Sequence, residues 1–120
     1  MQLVPTIVWK ITEGADEPLD QRLIPLLCAI HDTGSVKAAA VACGISYRAA
    51  WGLLREYRQK LNAPLVGSLR SRSTRLTPLG AQVVHAHATA TKRLNRPLST
   101  LAVRVRLDFA ANSGRRSAAD

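Results

Sequence analysis

At 120 residues, with a formal charge of +9 and a pI near 10.8, the chain is one domain's worth and strongly basic. Its apolar runs fall far short of the ~20 residues of a membrane-spanning helix, which excludes an integral membrane protein of that kind. Cys28 and Cys43 lie in apolar helical contexts with no recognisable signal peptide, so reduced thiols are expected rather than a disulfide scaffold, with a redox switch as the alternative.

The charge is unevenly placed. Residues 1–33 carry Glu13, Asp16, Glu17, Asp20 and Asp32 against Lys10 and Arg22, whereas residues 34–96 carry eleven Lys or Arg against Glu56 alone. A basic excess serves solubility as readily as polyanion affinity, so its location decides what it means.

Thr6 to Thr12, TIVWKIT, is rich in β-branched and aromatic residues and precedes a turn-like EGADEP, which predicts a short strand. A lone strand needs a partner, and the candidates near Leu65–Leu69 and Arg75–Leu76 place the expected sheet there. The next helix is expected from Pro18–Asp20 to about Asp32, with Leu19, Leu23, Leu26, Leu27 and Ile30 on one face and Thr33-Gly34 at its end. Pro25 is discordant. Inside a helix it costs about 3 kcal/mol, so the helix either starts late or bends.

Ser35 is placed to cap a short helix over Val36–Ala42, whose alanines allow two backbones to approach closely. Gly44 suits the left-handed turn that follows, and Ile45 plugs that turn into the core. From Ser46 to Leu61, a 100° wheel puts Ala50, Leu53, Leu54, Tyr57 and Leu61 on one side. Arg48, Trp51, Gly52, Arg55, Arg58 and Gln59 fall on the other. Cations, an amide and a position without a side chain are what a helix entering the ~12 Å wide major groove of DNA requires. Arg48, near the helix start, is placed for base edges, and Arg55 and Arg58 for phosphates. Trp51 lies at the edge of the apolar side, open to either packing or contact with DNA.

After Asn62-Ala63-Pro64, the segment LVGSLRSRSTRL has strand-like ends and a polar middle with Arg70, Arg72 and Arg75. A hairpin of this composition beside a recognition helix reads as a wing, its arginines suited to the minor groove or flanking phosphates. Thr77-Pro78 opens a long helix with Leu79, Val83, Ala86, Ala90 and Leu94 at three- and four-residue spacing, continued by Leu98, Leu101 and Val105 beyond Pro97. So narrow a stripe on so long a helix predicts pairing with a second copy, with a kink or break near Pro97. From about residue 112 the tail, including Arg115 and Arg116, is expected to be disordered.

The residues LLCAIHDTGSVKAAAVACGISYRAAWGLLREY, then LNAPLV, then RLTPLGAQVV, resemble the winged helix-turn-helix of LysR-type transcriptional regulators, over Leu19 to about Leu94. Within that group the GISYRAAW motif and the preceding strand are most similar to ModE-type molybdate-responsive regulators. The resemblance implies a mainly α fold with a small β wing, divided into a DNA-binding domain at 1–77, a dimerisation helix at 78–111 and a tail at 112–120. It also implies that Ser35, Ser46, Tyr47, Arg48 and Trp51 lie at or near duplex DNA, with Tyr47 equally readable as a packing residue beside the cap. A homodimer, a cytoplasmic, nucleoid-associated location and action as a transcription factor follow from the same resemblance. Two features depart from the pattern. SLRSRST replaces the glycine-rich wing of some ModE-type proteins, and no effector domain follows, as expected for a stand-alone reader or a truncated regulator.

Rival functions find little support in the residues. His85 and His87 are about 200° apart on a helix and share no face as metal ligands, and His31 stands alone. No phosphate loop or nucleophile elbow is present, so no catalytic residue, metal or cofactor is expected. RNA binding usually uses exposed aromatic platforms, for which this sequence has few candidates. A small dimeric adaptor, using the winged helix for protein contacts, is the alternative to a DNA reader.

Overall fold

A computed structural model describes residues 3–14, 16–68 and 73–119, with side chains to residue 112. The chain divides into two compact units, one spanning Val8–Ala88 and one made of the N-terminal residues to Ile7 with the chain from Thr89 onward. The first holds β1 (Lys10–Ile11), β2 (Glu17–Pro18), α1 (Leu23–Thr33), α2 (Val36–Cys43), α3 (Tyr47–Leu61), β3 (Val66–Ser68) and β4 (Thr74–Leu76), and α4 (Pro78–Ala119) begins in it.

The core forms where the apolar faces of three helices meet. Leu23, Leu26, Leu27 and Ile30 of α1 pack with Val36, Ala39 and Ala40 of α2, with Ala50, Leu53, Leu54 and Tyr57 of α3, and with Leu65. Ala39 and Ala50 are fully buried, so small side chains set the close approach of α2 and α3. Ile45 joins this cluster from the turn, as expected of a plug.

The helix ends follow local chemistry. The Ser35 hydroxyl accepts from the Ala38 N–H at 3.1 Å and the Ser46 hydroxyl from the Ala49 N–H at 3.0 Å, which caps α2 and α3. Gly34 and Gly44 end α1 and α2 with φ of 69° and 70°, left-handed conformations that glycine adopts without steric cost.

The N-terminal strand departs from expectation. It pairs antiparallel with Glu17–Pro18 (Lys10 opposite Pro18, Ile11 opposite Glu17) in a sheet separate from β3–β4. The intervening turn, with Gly14 at φ 88°, closes a short loop at less entropic cost than pairing with a strand some fifty residues away. Leu19 N–H continues the pairing to the Trp9 carbonyl at 2.7 Å.

Pro18 is therefore a strand residue rather than the first turn of a helix, and α1 starts late, at Leu23. Pro25 then occupies its first turn, where a missing N–H breaks no bond within the helix. Asp20 organises this entry. Its carboxylate accepts from the Arg22 backbone N–H (2.9 Å) and from Nε and Nη2 of the same arginine (3.0 and 2.8 Å). These Arg22 hydrogen bonds hold the Asp20 pKa below its ordinary value.

Of the kink or break expected near Pro97 there is no break, because α4 continues through the proline. The proline has no N–H to offer the Arg93 carbonyl one turn back, and in the following turn Thr100 Oγ1 donates to the Arg96 carbonyl at 2.9 Å. The helix extends to Ala119.

Candidate nucleic-acid interface

The outer face of α3 stands clear of the core. Arg48, Gly52, Arg55, Arg58 and Gln59 are exposed while Ala50, Leu53, Leu54 and Tyr57 are buried, which are the two faces drawn from the sequence. Among the described residues no carboxylate pairs with Arg48, Arg55 or Arg58. Lys60 differs. Its Nζ lies 2.8 Å from Glu17 and 3.1 Å from Glu56, and these bonds raise its pKa above the usual lysine value. The helix thus spends its last cation on the β1–β2 hairpin and keeps three guanidiniums available to an outside anion.

Ser46 and Tyr47 open the helix at the same end as Arg48. Tyr47 is 54 % exposed. Its ring meets Trp51 edge to face, with centroids 6.2 Å apart and planes at 84°. Trp51 itself is half-buried and packs against the core cluster. Ser35 lies at the start of α2, its hydroxyl oxygen accepting the cap bond while its O–H remains a donor.

Gly52 sits mid-helix with nothing within 4 Å of where a Cβ would stand, so no contact within the described structure requires glycine there. The C-terminal half of the face borders two hollows that were not legible from sequence. One, of about 190 Å³, lies between Trp51, Leu54, Arg55 and Arg58 and the Pro64–Val66 segment. The other, of about 530 Å³, is bounded by Arg55, Arg58, Gln59 and Asn62. Both depend on the reversal at Asn62, whose φ of 54° folds the chain back along α3. Asn62-Ala63-Pro64 signals a helix stop in the sequence, but not the direction of the return. Lys37, exposed on α2, is a further cation that sequence reasoning passed over.

The hairpin after α3 is present. Val66 pairs with Leu76, Gly67 with Arg75 and Ser68 with Thr74. Thr74 N–H donates to the Gly34 carbonyl at 2.9 Å, which ties β4 to the α1–α2 corner. Arg75 is exposed on β4, while Arg70 and Arg72 lie outside the described residues. Thr77 locks the next junction. Its Oγ1 donates to the Pro64 carbonyl (2.7 Å) and accepts from the Gly80 N–H (3.2 Å), while its own N–H reaches the Leu65 carbonyl at 3.0 Å.

The stripe expected to mediate dimerisation divides in two. Leu79 and Val83 pack against the domain's own core, and Leu98 and Ala90 are half-buried, whereas Ala86, Leu94 and Leu101 are exposed. Cys28 and Cys43 are free thiols, and partial burial, with Asp32 nearby, pushes the Cys28 pKa up, away from thiolate chemistry. Among the described residues no three His, Cys, Asp or Glu side chains gather as a metal cluster, and no helix is long and apolar enough to cross a membrane.

Two helices at a tight glycine turn, a capped third element with free cations and a β hairpin after it define a winged helix-turn-helix domain. Residues 21–81 match the family model of bacterial regulatory helix-turn-helix proteins of the LysR family. The chain belongs to the LysR family, and is a DNA-binding domain of the kind used in transcription regulation. It is 40% identical over 70 residues to the molybdenum transport protein ModE of Herbaspirillum seropedicae, covering 55% of this chain and 26% of that protein. It is 34% identical over 89 residues to the molybdenum-pterin-binding protein MopB of Rhodobacter capsulatus, covering 71% and 33%. The chain therefore spans about a quarter to a third of these relatives. The fold is also that of DarR of Vibrio fischeri, solved in complex with DNA (TM-score 0.60, 17% identity, 73% of this chain and 30% of that one). The CbnR DNA-binding domain, likewise solved with DNA, matches with a TM-score of 0.50 at 22% identity, over 83% and 95%.

Proposed function

We propose that this domain reads duplex DNA in a sequence-specific way as a homodimer, with α3 in the major groove and the β3–β4 wing on the minor groove or the flanking phosphates. The observation that carries this reading is the outer face of α3, where three guanidiniums without carboxylate partners among the described residues flank a side-chain-free Gly52. Arginines held unpaired at a surface are desolvated at little cost by phosphates and by the paired acceptors of guanine.

In this reading Arg48 contacts base edges, helped by Ser46, Tyr47 and the exposed side of Trp51, and Ser35 donates to a phosphate from the start of α2. Arg55 and Arg58 hold the backbone beside the two hollows, and Arg70, Arg72 and Arg75 extend the footprint along the wing. Leu79, Val83, Ala86, Ala90, Leu94, Leu98 and Leu101 carry the dimer.

The test is Arg48→Ala measured on an operator, selected from random duplexes, and on unrelated duplex. A base-reading arginine loses about 1–3 kcal/mol of discrimination between the two. Equal loss on both duplexes leaves Arg48 a phosphate contact only. Weak, salt-insensitive binding of the parent protein to any duplex favours instead an adaptor that uses this face for protein contacts.

A further inference from the structure

We propose that Tyr47 and Trp51 form an apolar notch that reads the C5-methyl group of a thymine, on the base pair next to a guanine contacted by Arg48. This rests on the placement of α3 in the major groove proposed above, and names the base chemistry that the first two turns of the helix select.

The two aromatic rings are held in a definite shape. Their centroids lie 6.2 Å apart with the planes at 84°, the edge-to-face arrangement that aromatic pairs prefer. Trp51 is backed by the core cluster and borders the Pro64–Val66 segment, so it is the fixed member of the pair. Tyr47 leans on it from the first turn and remains 54 % exposed. The other tyrosine on this helix is used differently, since Tyr57 is buried and its hydroxyl accepts from the Asp20 N–H at 2.6 Å. Two rings nearly at right angles enclose a corner. A corner suits a compact apolar group such as a methyl, whereas stacking of a whole base calls for an open, flat ring face.

Position ties this corner to the arginine. Tyr47 and Trp51 are four residues apart, as are Arg48 and Gly52, so each pair forms a row along the helix, and the two rows lie about 60° apart around it. In the major groove guanine offers O6 and N7 as acceptors and thymine offers its methyl, on pairs ~3.4 Å apart along a strand. A row led by a guanidinium beside a row of two rings therefore matches a guanine next to a thymine. Gly52 gives access, because nothing stands within 4 Å of its missing Cβ and no side chain there holds the helix away from the groove floor. A contact of this kind also separates DNA from RNA, whose uracil lacks the methyl.

The test uses the full chain and an operator selected with it from random duplexes. Thymines are replaced one at a time by deoxyuridine, which lacks only the C5-methyl, and affinity is read by fluorescence anisotropy. Loss of one buried methyl should weaken binding about fourfold at a thymine adjacent to a guanine. Tyr47→Ala should bind the thymine and uracil duplexes alike, whereas Tyr47→Phe, which keeps the ring, keeps the difference. Circular dichroism verifies that both variants fold. If the parent chain separates operator from unrelated duplex yet tolerates deoxyuridine at every position, the notch reads no methyl and the major-groove reading stands. A thymine preference that survives Tyr47→Ala belongs to another group, and one that Tyr47→Phe abolishes belongs to the hydroxyl; either overturns the proposal. A parent chain that selects no operator overturns both readings.

Discussion

Gly52 shows how a single residue separates what the fold needs from what the site needs. In a helix interior glycine is disfavoured relative to alanine by about 0.5–1 kcal/mol, and here neither a positive φ nor a close neighbour repays it. A position that costs stability and is free of internal constraint is expected where a ligand approaches the backbone. Gly52→Ala should therefore raise unfolding stability by roughly 0.5–1 kcal/mol in urea denaturation while weakening operator binding several-fold. Stabilisation with unchanged affinity removes the backbone of α3 at this point from the DNA contact. The cations divide on the same principle. Lys60 is committed to Glu17 of the hairpin and to Glu56 of its own helix, and Arg48, Arg55 and Arg58 have no carboxylate partner among the described residues.

At the scale of elements, the segment RLTPLG carries more structure than its short length suggests. Thr77 caps α4 and grips the Pro64–Leu65 carbonyls, and Gly80 lets the first turn of α4 pass against that same backbone. A Cβ at Gly80 collides with the Leu65 carbonyl oxygen, a backbone atom that cannot swing aside. Gly80→Ala should cost about 2 kcal/mol or more, read as a fall of several degrees in Tm, whereas exposed Gly67→Ala on β3 stays within about 0.5 kcal/mol. Equal shifts for the two variants defeat the close-approach argument. The helices and their caps were legible because Ser35, Gly44, Ser46 and the apolar spacing act locally. The β1–β2 pairing was misassigned because two short strands carry no signal of partner beyond loop length, and Pro18 suits both a helix start and an edge strand. The hollows beside Arg55 and Arg58 were invisible because they depend on where the chain returns after Asn62, a property of tertiary packing.

For the whole molecule, charge and symmetry act together. The basic residues concentrate between Lys37 and Arg96, and the acids up to Asp32 lie in the hairpin, the connection after it and α1, away in sequence from the cations proposed to meet DNA. A homodimer joined through α4 presents this basic set twice, so it should prefer an inverted repeat with half-sites one or two helical turns apart, about 34 Å or a multiple of it. Each phosphate neutralised adds about 0.9 to the magnitude of the slope of log K against log salt. If each copy engages its own half-site with the same arginines, the full repeat should give roughly twice the slope of a single half-site, and Arg55→Ala should lower the full-site slope by about two. Fluorescence anisotropy at several salt concentrations measures both quantities. Equal slopes for half and full sites mean that one copy alone contacts DNA, and the dimer then serves some end other than reading a two-fold operator.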